Sequence, residues 1–169
     1  MQKLSKNKKE LIESLKSMYF EKHARHAMKL AEIIETYESS KHRLIDRVKL
    51  GMHPSVDPKY IDSIHLYGVA GSYFLRAGMG LEAAKAYEKA GNKAMEGSSG
   101  FEKKIYQSFV AASELRKAAQ LYKKLELTDK QESCLRSARE CLWRCGADAK
   151  MVAHFLNSDA FSQPLLDHV

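Results

Sequence analysis

The amino-acid sequence predicts an all-α fold: antiparallel helical hairpins stacked side by side, preceded by a long N-terminal helical segment. Three observations carry this expectation. Alanine and leucine together number 37, while valine and isoleucine number 13 and threonine only two. That balance favours helix and leaves too few β-branched residues for a sizeable sheet. Glycine- and proline-bearing breaks fall at 51–58, 78–80, 97–100 and 146, dividing the chain into helix-length pieces. Aromatic and alanine positions also recur at steps of 34 and 35 residues, the mark of a repeated supersecondary unit.

Each element follows from local signals. Asn7 and Glu10 read as a capping box opening a first helix, with Leu11, Leu15 and Met18 as its apolar stripe. Ala27, Leu30, Ile34, Tyr37, Leu44 and Val48 continue at three- and four-residue steps, predicting a long amphipathic helix from about 21 to 50. Residues 1–50 therefore form an N-terminal segment that caps the repeats or binds a partner. Gly51 ends it, and the two prolines of 51–57 mark a linker. Asp57 as N-cap and Pro58 at the first helical position start a helix over 58–77, and Gly78 and Gly80 turn the chain into a helix over 81–95. After Glu96–Gly100 come helices over 101–112 and 114–126, the next opening on a Thr128–Gln131 capping box and stopping at Gly146. Asp148 opens a short last helix ending near Asn157. Residues 58–157 are thus the repeats, and 158–169 a tail that frays or docks through Phe161 and Leu165.

Aligned by hairpin, Phe74, Phe109 and Trp143 coincide, as do Ala83 with Ala118 and Tyr87 with Tyr122. Small alanines allow close helix approach, and aromatics fill the wedge between neighbouring hairpins. This pattern resembles the tetratricopeptide repeat. Tyr67, Gly71, Phe74, Gly78, Ala83, Tyr87 and Ala90 match its first-helix aromatic, small residue, second aromatic, turn glycine and A-x-x-x-F/Y-x-x-A run. Ala70 and Met95 depart from it, standing where leucine and proline are usual. The run AGMGLEAAKAYEKAGNK is also similar to the helical hairpins of soluble NSF-attachment proteins. The resemblance covers about residues 60–157 and implies a right-handed α-solenoid; residues 1–56 match neither family.

The chain carries 28 Lys and Arg against 21 Asp and Glu, a net charge of +7, and the first 60 residues hold 13 of the bases and 8 of the acids. Such an excess attracts anionic partners, but acids are interleaved along the sequence and no basic face carries stacking aromatics, which disfavours nucleic acid. Three cysteines, Cys134, Cys141 and Cys145, crowd one predicted helix. They make no disulfide framework, fit a reducing compartment, and read as buried packing residues. Neither a signal peptide's apolar run nor a membrane span is present, so the expected location is cytoplasmic.

Catalytic patterns are absent. The pairs His23/His26, Glu38/His42 and Asp62/His65 each share a helix face, but no Glu-x-x-His occurs, so they read as exposed or capping residues rather than metal ligands. GSSG at 97–100 lacks the lysine of a phosphate loop, and GMG at 78–80 follows no strand. We therefore expect no cofactor and no enzyme. The expected function is a protein-interaction module, an adaptor, scaffold or chaperone-like protein. By analogy with the repeat family, its groove would be lined by His65, Ser72, Leu75 and Arg76 from one hairpin and Lys103, Gln107 and Val110 from the next. The partner would be a peptide or helix of another protein, and the N-terminal helix could also pair two copies. The alternatives are a basic-surface binder of nucleic acid or anionic membrane, and a helical-bundle enzyme or metal protein.

Overall fold

The computed structural model describes residues 2–38, 63–96 and 101–161. The predicted helix end near residue 50, the 51–57 linker with the Asp57–Pro58 start, the 97–100 loop and the tail beyond 161, including Leu165, lie outside the described residues. Those described are all-α, in six helices with no strand among them: α1 (Gln2–Glu38), α2 (Ser63–Arg76), α3 (Gly80–Glu96), α4 (Phe101–Lys124), α5 (Thr128–Arg144) and α6 (Ala149–Asn157). The chain divides into two compact units, Met1–Met79 and Gly80–Val169.

In the first unit α2 packs on α1. Ala24, Ala27 and Ala31 recur at helical spacing on α1 and are buried, as are Tyr67, Ala70, Gly71 and Phe74 of α2. Small side chains on both helices permit the close approach, and two bonds fix its register. Tyr67 Oη donates to Glu35 Oε2 at 2.7 Å, and Ser17 Oγ donates to Ala77 O at 2.9 Å. The early part of α1 therefore lies against the end of α2, an antiparallel pair. Phe20 stacks near Tyr73 at 6.1 Å between centroids. Asn7 lies inside α1 rather than at its start, so the helix begins before the predicted N-cap.

In the second unit α4 packs against both α3 and α5, and α6 against α5. Alanines dominate the core of this unit: Ala83, Ala84, Ala86, Ala90 and Ala94 on α3 and Ala111, Ala112, Ala118 and Ala119 on α4 are all buried. Tyr87, Leu115 and Tyr122 are bulky buried side chains among them, and Leu115 lies against Gly91 of α3. Tyr122 Oη donates to Glu88 Oε2 at 2.6 Å, a bond from α4 to α3.

Two expectations fail here for identifiable reasons. The predicted helices 101–112 and 114–126 are one helix, α4, with Ser113 in its interior. No glycine or proline interrupts that stretch, and a single serine is tolerated within a helix. The predicted Thr128–Gln131 box is absent too: Leu127 is the N-cap residue and makes no side-chain cap bond. Asp148 does cap α6, accepting from Met151 N at 2.8 Å.

Three turns share one geometry. After α2, α4 and α5 the chain passes through a left-handed residue, Gly78 (φ 77), Glu126 (φ 59) and Gly146 (φ 80). Each time the next residue's N–H reaches back to a helix carbonyl: Met79 N to Phe74 O at 2.9 Å, Leu127 N to Tyr122 O at 3.0 Å and Ala147 N to Leu142 O at 3.1 Å. These are Schellman closures, which glycine fits without strain. Glu126 carries a Cβ where the motif prefers none, so Glu126→Gly is expected to stabilise the second unit by roughly 1 kcal/mol. A thermal melt several degrees higher than wild type checks it, and an unchanged or lower midpoint refutes it.

Candidate functional site

The second unit holds a stretch of its own chain in a way that defines a site. Beyond α6 the chain leaves the helix at Ser158, whose backbone is extended, and returns along α4. Two α4 side chains one turn apart grip it. Arg116 Nη1 donates to Phe155 O at 2.7 Å and also to Ser158 Oγ. Its guanidinium lies over the Phe155 ring, 4.1 Å from the centroid. Gln120 contacts backbone on both sides: Nε2 donates to Ser158 O at 2.9 Å, and Oε1 accepts from Ala160 N at 2.9 Å. A primary amide offers a donor and an acceptor together, so it can pair with a peptide backbone whatever the side chains.

Phe161 anchors the far end. Its ring approaches the Tyr87 ring of α3 at 6.2 Å between centroids, and Lys124 Nζ lies 5.9 Å from its centroid. Lys117 Nζ is 5.2 Å from the Tyr87 centroid. Phe161 N donates to Asp159 Oδ1 at 3.0 Å, a local turn that sets the ring's direction. Burial lowers the Arg116 pKa, and the Asp159 carboxylate works in the opposite sense. On the other flank, Phe109 meets Phe155 edge-on at 5.6 Å while remaining about half exposed.

The residues expected to line a groove are distributed over the two units. His65, Ser72, Leu75 and Arg76 lie on α2 in the first; Lys103, Gln107 and Val110 lie on α4 in the second. His65 is exposed, and the Ser72 hydroxyl donates to Gly68 O of its own helix at 3.2 Å. Arg76 sits 5.7 Å from the Phe20 ring centroid. Gln107 and Val110 are half-buried, and Gln107 Oε1 has no hydrogen-bond partner among the described residues. The Lys103 side chain lies outside the described ones. Arg116, Gln120, Lys117 and Lys124 were not anticipated as binding residues. The only signal for them is the spacing of Arg116 and Gln120, four apart on the polar side of an alanine-rich helix.

Cys134 and Cys141 are buried free thiols, and the Cys145 thiol lies 3.4 Å from Ile105 O. Burial, then the nearby Glu88 carboxylate, pushes Cys134 up to about 12, and burial is also the main cause raising Cys141 and Cys145. Raised thiols are poor nucleophiles and poor ligands at neutral pH. Among the described residues no group of three or more His, Cys, Asp or Glu is placed to hold a metal ion, and no helix is long and apolar enough to cross a membrane. Comparison with family models, curated proteins and solved structures finds no match for this chain.

Proposed function

We propose that this chain is a non-enzymatic protein-interaction module that takes a short segment of a partner protein on the α3–α4 surface of its second unit, where Ser158–Phe161 lies in the free chain. The grip of Gln120 on the carbonyl of Ser158 and the N–H of Ala160 carries this reading. Pairing to backbone supplies affinity for peptide as such. Arg116, with the Asp159 carboxylate near it, and the Tyr87–Lys124 seat of Phe161 supply a preference for an acidic residue two positions before an aromatic one. A TPR-like hairpin stack, a cytoplasmic location and an adaptor or scaffold role belong to the same proposal. The family likeness of 60–157 and the soluble composition support them.

In this reading the chain's own segment competes with the partner at the high effective concentration of a tethered ligand, on the order of mM. Weakening it in place opens the site. A labelled peptide of sequence SDAFSQPLLDHV, titrated by fluorescence polarisation into the full chain, is expected to bind Phe161→Ala at least about tenfold more tightly than wild type. Adding Gln120→Ala to Phe161→Ala is expected to abolish that gain. Equal binding to all three proteins, or no saturable binding to any, overturns the proposal.

A further inference from the structure

The first unit carries a second surface, on the side of α1 turned away from α2. At 37 residues α1 extends about 55 Å, against about 21 Å for the 14 residues of α2. Ser17 already meets Ala77, just past the end of α2, so the turns before it extend beyond the pairing. On those turns Leu11 and Leu15 are each more than half exposed and Ile12 is 42% exposed, and just past Ser17 so are Met18 and Tyr19, at 64% and 58%. These five lie on one side of the helix, opposite the buried Ala24 and Ala31.

Charge on α1 is sided in the same way. Acids and bases alternate along its sequence, but on a helix turning roughly 100° per residue they separate. The half-cylinder centred on Leu15 carries no acidic residue from Lys9 to Ile33, and Glu10, Glu13, Glu21 and Glu32 all fall on the other half. Glu13 and Glu21 pair there with Lys16 at 3.1 Å and Arg25 at 2.7 Å. Lys22, His26 and Lys29 continue the outward apolar stripe and are exposed. The outward face is therefore apolar for two turns, basic for the next two, and free of negative charge.

We infer that this face of α1 binds an anionic lipid surface, lying in the membrane plane. The side chains favour that occupant over others. A convex row of leucine, isoleucine and methionine suits the boundary between headgroups and acyl chains, Tyr19 suits the interface, and flanking lysines reach anionic headgroups. A second copy is a poor complement: each copy would bring Lys22 and Lys29 and no acid to answer them. Nucleic acid would meet the basic turns but leave the aliphatic row against phosphates, with Tyr19 the one aromatic ring among the five exposed apolar residues of this face.

The test is flotation of the full chain with vesicles of phosphatidylcholine alone or with about one-third phosphatidylserine, at about 0.15 M and 0.5 M salt. The expected result is binding to the anionic vesicles only, weakened by salt. Two double variants, Leu15→Glu with Met18→Glu and Lys22→Glu with Lys29→Glu, each reduce it by at least about tenfold, and Leu15→Ser with Met18→Ser reduces it without adding charge. All these positions are exposed, and an unchanged thermal midpoint shows that folding is intact. No vesicle binding, equal binding to neutral vesicles, or binding unaffected by the Leu15 and Met18 changes overturns the inference. So does a dimer in light scattering that Leu15→Glu with Met18→Glu dissolves, which assigns the face to a second copy. Retention of nucleic acid without lipid overturns it as well.

Discussion

Gly91→Ala lowers the stability of the second unit, although the same exchange in an ordinary helix raises it. A Cβ built at Gly91 would stand 2.5 Å from Leu115 Cγ, 3.0 Å from Leu115 Cδ2 and 3.2 Å from Ala111 O. The nearest atom is a branch point rather than the end of a flexible chain, and the third is backbone, so neither yields without moving α3 from α4. Overpacking of this kind costs about 1–3 kcal/mol, against a helix-propensity gain of about 1 kcal/mol. The expected net loss is up to roughly 2 kcal/mol, read as a lower denaturation midpoint. Leu115 is 1% exposed, so Leu115→Ala alone should cost about 2–5 kcal/mol through the cavity it leaves. In the double variant the new methyl enters that cavity, and the two losses fall short of additive by about 1–2 kcal/mol. Strict additivity, or a stabilised Gly91→Ala, would show that α3 and α4 are not held at this distance.

That contact also shows where sequence reasoning reaches and where it stops. The pairs Ala83/Ala118 and Tyr87/Tyr122 stand out by their spacing, and all four are buried, because helical periodicity and small side chains are local properties that sequence displays. The aromatic series behaves differently. Phe74 is buried, but Phe109 and Trp143 are 51% and 57% exposed, so they do not fill equivalent wedges. The expected break at Ser113 does not occur, which leaves Phe109 in mid-helix on a flank of α4. The turn that does occur depends on Glu126 adopting a positive φ, which no residue type announces. Gly91 reads as a weak point in a helix until its neighbour Leu115 is known. The site was still less legible. Arg116 and Gln120 are ordinary surface residues of α4 until the segment about forty positions later is laid across them, and only Phe161 and Leu165 hinted that the tail docks. The sided charge of α1 is the intermediate case, hidden in the linear alternation of acids and bases and visible once the helix is known to run unbroken.

Stability should fall as pH rises above about 9, and the buried thiols of α5 should set the slope. Cys134 is 2% exposed, and its burial beside the Glu88 carboxylate lifts its pKa from the ordinary 9.0 to about 12, with Lys130 opposing. Burial raises Cys141 and Cys145, and burial with the hydrogen bond to Glu88 raises Tyr122 above its ordinary 10.0. Unfolding returns each group to its ordinary value. Between pH 9 and 12 the unfolded chain has therefore released protons that the folded chain retains, and the derivative of unfolding free energy with pH is negative. The contribution is complete below about pH 9 and is lost as pH approaches the folded values. Each retained proton contributes up to about 1.4 kcal/mol per pH unit. Urea denaturation of the reduced protein from pH 8 to 11 reads this slope directly. Cys134→Ala starts from a lower stability at pH 8 because it vacates packed space, but it unfolds with a shallower pH dependence because it removes one retained proton. Parallel slopes for the two proteins would mean that Cys134 ionises as readily in the folded chain as in the unfolded one, and would place that thiol in contact with water rather than between α5 and the Tyr122–Glu88 pair.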